Sequence, residues 1–230
     1  MFRMELAGVL IGVENHYPDM RHLCWPFLRE TEQAPSFTVC ATEKECRQES
    51  VLPGYGEILC LCRKICRELL WHDVLLLHAA AIEMDGRGYL FAGKSGAGKT
   101  THINLWRQVF GSRVTVINGD KPLLSFAGER PVVHGSPWRG KDRQGNAGSA
   151  PLKALCFVEK STENRLEPIS AEAAMERIFD QILLPGDAGA LEKSMELVEK
   201  LLMQLPCYVM HCRMDAQAAT TAYEGLKEAP

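Results

Sequence analysis

What the chain lacks narrows it first. No apolar run approaches the length of a bilayer span: the most apolar early stretch, Leu6-Ala7-Gly8-Val9-Leu10-Ile11-Gly12-Val13, is eight residues long, where about 20 are needed. It follows Glu5 without a basic leader or a cleavage signature. A cytoplasmic protein with no targeting signal and no membrane partner is therefore expected. Charge of one sign is also missing, with 26 Lys and Arg against 29 Asp and Glu and a formal net charge of −3. A general nucleic-acid or anionic-membrane surface is excluded, and phosphate binding has to be local. The nine cysteines are an odd, scattered set without a C-x-x-C pair, which argues against a secreted disulfide scaffold. In the cluster Cys60-Leu61-Cys62-Arg63-Lys64-Ile65-Cys66, helical spacing puts Leu59, Cys62, Cys66 and Leu69 on one face. Buried thiols explain that spacing better than a metal site. The chain has no internal repeat, low-complexity tract or long linker.

What is present is more specific. Residues 93–100 read Gly93-Lys94-Ser95-Gly96-Ala97-Gly98-Lys99-Thr100, a complete G-x-x-x-x-G-K-[ST] phosphate-binding loop. Glycines let successive backbone N–H groups close around phosphates, the lysine reaches the β/γ oxygens, and the hydroxyl ligates Mg²⁺. Upstream, Tyr89-Leu90-Phe91-Ala92 has the composition of a strand end; downstream, Ile103, Leu105, Trp106 and Phe110 suit a helix. Gly93 to Thr101 are thus the expected nucleotide-binding residues, with a nucleoside triphosphate and Mg²⁺ as ligands.

The organisation reads as a small β-containing segment over 1–53, with strands at Glu5–Val13 and Ser36–Ala41, followed by a nucleotide-binding domain over 54–230. A helix is expected over Tyr55–Trp71. Strands over Val74–Met84 and Gly88–Ala92 flank Asp85-Gly86, a tight-turn signal. A hairpin that leads straight into the phosphate loop implies an α/β fold with a mixed sheet. Further strands are expected over Val114–Asn118, Pro122–Phe126, Val132–Gly135, Leu152–Glu159, Arg165–Ile169 and Cys207–Arg213. Helices are expected over Ala171–Leu183 with Ser170 as N-cap, over Leu191–Gln204 after a break at Pro185-Gly186, and over Ala216–Leu226.

Phosphoryl transfer to a hydroxyl needs a carboxylate to hold Mg²⁺ or take the proton, and Asp120, at the end of Val114-Thr115-Val116-Ile117, is best placed. His78 lies in the apolar run Leu75-Leu76-Leu77-His78-Ala79-Ala80-Ala81. It reads either as a hydrogen-bonded core residue or as a partner of phosphate or base. The glycine-rich stretch from Gly135 to Ser149 carries Arg139, Lys141 and Arg143. It is either a solvated connector or a loop that closes over a triphosphate, with Arg139 or Lys141 neutralising charge and Trp138 anchoring the loop or contacting a base.

The order of His78-Ala79-Ala80-Ala81, hairpin, Gly93–Thr100 and Asp120 resembles the HPr kinase/phosphorylase-like proteins, over roughly residues 74–160. The resemblance implies a mixed-sheet domain related in fold to phosphoenolpyruvate carboxykinase, with flanking helices, ATP and Mg²⁺. It also implies transfer of the γ-phosphoryl group to a hydroxyl, usually serine. Carried over by position, Lys99 and Thr100 bind phosphate and metal, Asp120 is base and metal ligand, and His78 sits beside them. Relatives commonly carry two adjacent acids where this chain has Gly119-Asp120, and the family's C-terminal protein-recognition signature is missing. The chain is more similar to the short branch that modifies a serine on a peptide or small protein. A nucleotide-binding adaptor or pseudokinase is the alternative that Gly119 favours, and homo-oligomerisation follows from the resemblance alone.

Overall fold

The computed structural model describes residues 1–183 and 186–228. The chain opens with a hairpin, β1 (Phe2–Leu6) and β2 (Val9–Glu14), then α1 (Pro18–Leu23), β3 (Phe37–Cys40) and α2 (Glu43–Glu49). The expected strand Glu5–Val13 is therefore two strands. Ala7 and Gly8 both have positive φ, 50° and 83°, the backbone of a tight hairpin turn. β3 joins β2 in parallel to complete a three-stranded sheet. The helix α2 carries a reciprocal cap between Thr42 and Glu45.

Next comes α3 (Pro53–Leu70), which starts at proline and buries Cys60, Leu61, Ile65, Cys66 and Leu69. Those side chains form one apolar cluster with Met4, Ile11, Val13 and Val39 of the small sheet, and with Leu76, Leu123 and Trp138. The fully buried Glu57 accepts from the backbone N–H groups of His16 and Tyr17 at 2.6 and 3.1 Å. That tie satisfies a carboxylate that would be expensive to bury alone.

The strands β4 (Val74–Leu76), β5 (Ala79–Met84) and β6 (Arg87–Ala92) lead to α4 (Lys99–Phe110). Then follow β7 (Val114–Asn118), β8 (Leu123–Ser125), β9 (Val132–His134), β10 (Ser149–Lys160) and β11 (Arg165–Ile169), with α5 (Ala171–Ile178), α6 (Ala188–Gln204), β12 (Cys207–Cys212) and α7 (Ala216–Lys227) after them. The expected strand Val74–Met84 breaks at Leu77-His78. β4 pairs with β8, whereas β5 pairs with β6 and β7, so the chain changes neighbours there. The helix expected to reach Leu183 ends at Ile178, because Ile182 bridges Leu77 and the Gln181 carbonyl accepts from the His78 N–H at 2.7 Å. Of the break expected at Pro185-Gly186, Pro185 lies outside the described residues.

Among the described residues the large sheet has nine strands and is mixed. β6, β10 and β12 run parallel with β10 in the middle; β5 and β11 pair antiparallel on either flank. β7 is antiparallel to β5 and so runs in the direction of β6. The first residues of β10 instead pair with β9, which continues to β8 and β4. One face is covered by α5 and α6 through Ala174, Ile178, Leu197 and Leu201. On the other, Ile103 and Trp106 of α4 pack with Ala219 and Ala222 of α7. No described helix is long and apolar enough to cross a membrane.

Candidate functional site

Strand direction alone brings three sequence-distant segments to one sheet edge. The residues after β6 and after β7 emerge at the same edge because those strands run the same way, and β5, running opposite, begins there. Gly93 to Gly98 follow β6, Asp120 follows β7, and His78 precedes β5.

The segment 93–98 has the backbone that glycine permits. Gly93, Gly96 and Gly98 have φ of 145°, 80° and 103°. A Cβ at Gly93 would lie 2.9 Å from the Val158 carbonyl, and one at Gly98 would meet the Met214 methyl at 2.2 Å. Gly98 caps α4 without a side-chain acceptor, so the first amides of that helix remain available to an anion. Lys99 is buried and donates to the carbonyls of Gly93 at 2.7 Å and Lys94 at 3.4 Å. Burial pushes its ammonium below the usual lysine value; the Asp120 charge opposes that shift and the Lys121 charge adds to it. Thr100 and Thr101 follow in the first turn of α4, and Lys94, Ser95 and Thr101 are exposed. Behind them His102 is fully buried, accepts from Trp106 Nε1 at 3.0 Å, and is pushed down to about 4 by burial, hence neutral.

His78 and Asp120 meet where the chain passes from the β4–β8 pair to the β5–β7 pair. The Nε2 of His78 lies 3.3 Å from Oδ1 of Asp120, and the Ala79 N–H donates to the Asp120 carbonyl at 3.0 Å. The other carboxylate oxygen, Oδ2, receives the Lys121 ammonium. Burial works to raise the Asp120 pKa, but the hydrogen bonds and charges of His78 and Lys121 outweigh it and bring the carboxyl down to about 2. The turn itself is built by Asn118. Its buried Oδ1 accepts from the N–H groups of Asp120 (2.9 Å) and Lys121 (2.8 Å), and its Nδ2 donates to Ser136 Oγ (3.0 Å) and the Ser136 carbonyl (3.2 Å). Ser136 Oγ in turn donates to the Lys121 carbonyl at 2.5 Å.

The glycine-rich stretch comes back onto this turn. Gly140, at φ 70°, packs so closely that a Cβ there would lie 2.9 Å from Cβ and 3.4 Å from Oδ2 of Asp120. Trp138 is buried in the cluster shared with α3 and the small sheet. Arg139 turns inward, its Nη1 donating to the Gly145 carbonyl at 3.2 Å while its buried Nε has no partner among the described residues. Lys141 is exposed.

A family described as SynChlorMet cassette protein ScmC matches residues 39–217. The chain belongs to this family. The ScmC match begins in β3 and ends in α7, and so takes in His78, Gly93 to Thr101, Asp120, Arg139 and Lys141. No curated protein matches the chain. Among solved structures, the HPr(Ser) kinase/phosphatase from Coxiella burnetii is similar at 9% identity, with 65% of this chain and 95% of that one covered and a TM-score of 0.35.

Reading the sequence alone missed Asn118, Lys121, Ser136 and Gly140. Asn118 carried a usable signal, since Asn two residues before a turn residue commonly bonds the following backbone N–H groups. Ser136 carried none for its part in the turn, because the Asn118 and Lys121 groups that it bonds lie 18 and 15 positions away in sequence.

Proposed function

We propose that the chain is an ATP-dependent kinase that transfers the γ-phosphoryl group to a hydroxyl, a serine of a peptide or small protein. The observation that supports it most is the His78–Asp120 pair beside the glycine loop, with the Asp120 charge acting on Lys99. In this reading residues 93–101 hold the triphosphate on loop and helix amides, and Lys99 leaves its own loop carbonyls for the β/γ oxygens. The acceptor oxygen bonds to the γ-phosphorus as the bond to the β,γ-bridging oxygen breaks. The electron pair leaves with ADP and the hydroxyl proton passes to Asp120. An ionised carboxylate and a hydroxyl at the start of α4 are the hard oxygen donors that Mg²⁺ takes. Asp120 and Thr100 would hold it, and the bound ion supplies charge neutralisation across the phosphates. The sequence order that resembles the HPr kinase/phosphorylase-like proteins supports the same reading.

A nucleotide-binding adaptor is the second reading. It draws on Gly119, which offers no second acid, and on Asp120, whose two oxygens are both engaged by cationic or hydrogen-bonding partners. Transfer of label from γ-labelled ATP to a panel of serine peptides and HPr, with Asp120→Asn as control, separates the two. Label that disappears in the variant supports the kinase; tight ATP binding with no label on any acceptor supports the adaptor.

A further inference from the structure

We propose that Lys121 is a further catalytic residue of this site, a second cation for the γ-phosphate that is parked on Asp120 until a triphosphate arrives. The proposal rests on the kinase reading and names the cation that the reading left open.

The backbone of Lys121 is fixed on both sides. Its N–H donates to the buried Asn118 side chain at 2.8 Å and its carbonyl accepts from Ser136 Oγ at 2.5 Å, while the following residue, Pro122, restricts its conformation further. Only the side chain is free to move; it is 40% exposed and ends on Asp120 Oδ2. Arg139 and Lys141, the two cations the sequence offered for this role, are placed otherwise: one is tied to Gly145 and the other is in solvent. Lys121 is therefore the cation in contact with the carboxylate, and its charge is felt by Lys99 as well.

Lys121 in contact with Asp120, and Lys99 on its loop carbonyls within reach of the same charge, set two cations against one carboxylate at this sheet edge, an excess that an incoming anion relieves. A triphosphate terminus carries more charge than a carboxylate and offers more acceptor oxygens, so it outcompetes Asp120 for the Lys121 ammonium. The exchange does two things. Lys121 then stabilises the charge on the phosphoryl group as it transfers. It also uncovers Oδ2, so that this oxygen can take the proton from the acceptor hydroxyl as the new oxygen–phosphorus bond forms and ADP departs. Coupling of base exposure to triphosphate binding would suppress proton abstraction from the acceptor in the absence of ATP.

The test compares ATP with ADP. Dissociation constants for both are measured by calorimetry on the full chain, for the wild type, Lys121→Met and Lys121→Arg, with thermal unfolding of each variant as a check on folding. Lys121→Met is expected to weaken ATP by about tenfold or more while ADP stays within about twofold, since only ATP has the γ-phosphate. Lys121→Arg is expected to keep most of the preference. An unchanged ATP-to-ADP ratio in a folded Lys121→Met overturns the role of Lys121 and leaves the kinase reading standing. A wild type that binds neither nucleotide overturns both.

Discussion

His78 Nε2 and Asp120 Oδ1 lie 3.3 Å apart, although 42 positions separate them in sequence. The contact is a consequence of sheet topology. β5 and β7 are antiparallel neighbours, and His78 stands just before one while Asp120 stands just after the other. Replacing Asp120 by Asn keeps the shape and removes the charge and the proton acceptor. Transfer is expected to fall by about 100-fold or more, the scale of a lost catalytic base, while ADP, held by residues 93–101 in the proposed site, still binds. A variant with full activity would move the base elsewhere.

The same pair sets a pH dependence of stability. The folded-state pKa of Asp120, about 2, is below the value of about 3.9 expected in the unfolded chain. A depressed carboxylate contributes stability that is present above the unfolded value and disappears as pH falls through the folded one. The part of the stability difference between wild type and Asp120→Asn that comes from the carboxylate should therefore shrink between about pH 4 and about pH 2. Urea unfolding at a series of pH values reads this directly. A difference that already shrinks near neutrality would contradict the ion pair.

Lys99 is predicted to be costly to the empty protein and necessary to the loaded one. Burial disfavours its charged form, and its only hydrogen bonds among the described residues are to carbonyls of its own loop. Lys99→Met removes the buried charge and keeps much of the packing, so the melting temperature without nucleotide should not fall. Saturating ATP should stabilise the wild type by about 2.7 kcal/mol at a hundred times its dissociation constant and leave Lys99→Met unmoved. Equal ATP-induced shifts in the two proteins would refute the phosphate role.

Gly140 is the point at which the glycine-rich stretch presses on the carboxylate. An alanine there has to adopt φ near 70° with its methyl 2.9 Å from the Asp120 Cβ. Backbone strain alone is worth about 1–3 kcal/mol, and the collision displaces Asp120 or the stretch. Gly140→Ala should reduce transfer by about tenfold or more, with ATP binding close to normal because loop 93–98 is untouched. Loss of ATP binding instead would mean that this stretch contributes to the nucleotide site itself.

How much of this was legible in the sequence depended on range. The glycine loop, the hairpin at Asp85-Gly86 and the helix after Gly98 follow from local chemistry, since each is fixed by residues a few positions apart. The break at Leu77-His78 was not legible, because Leu75 to Ala81 is apolar apart from His78 and only the exchange of β8 for β7 as partner divides it. The Thr42–Glu45 cap of α2 is equally local, a Thr-x-x-Glu spacing written in the sequence. Among the polar residues, His78 and Asp120 could be named from composition and order. Lys121 could not, since nothing local distinguishes its ammonium from those of Lys94 or Lys141.

The last prediction concerns the turn that carries Asp120 and Lys121. Ser136 Oγ accepts from Asn118 Nδ2 and from the Trp138 N–H, and donates to the Lys121 carbonyl. It is fully buried, as is Asn118. Ser136→Ala leaves the Lys121 carbonyl and the Trp138 N–H short of a partner, at about 1–3 kcal/mol for buried polar groups of this kind. Purely structural damage would lower the amount of folded protein and leave the folded fraction as active as before. The geometry requires more than that, because the lost bond releases the peptide that aims both Asp120 and Lys121. Turnover per folded molecule should fall by about tenfold or more while the dissociation constant for ADP, which is held by residues 93–101 in the proposed site, stays within about twofold. A normal turnover number after correction for unfolded protein would show that the Ser136 latch serves stability alone.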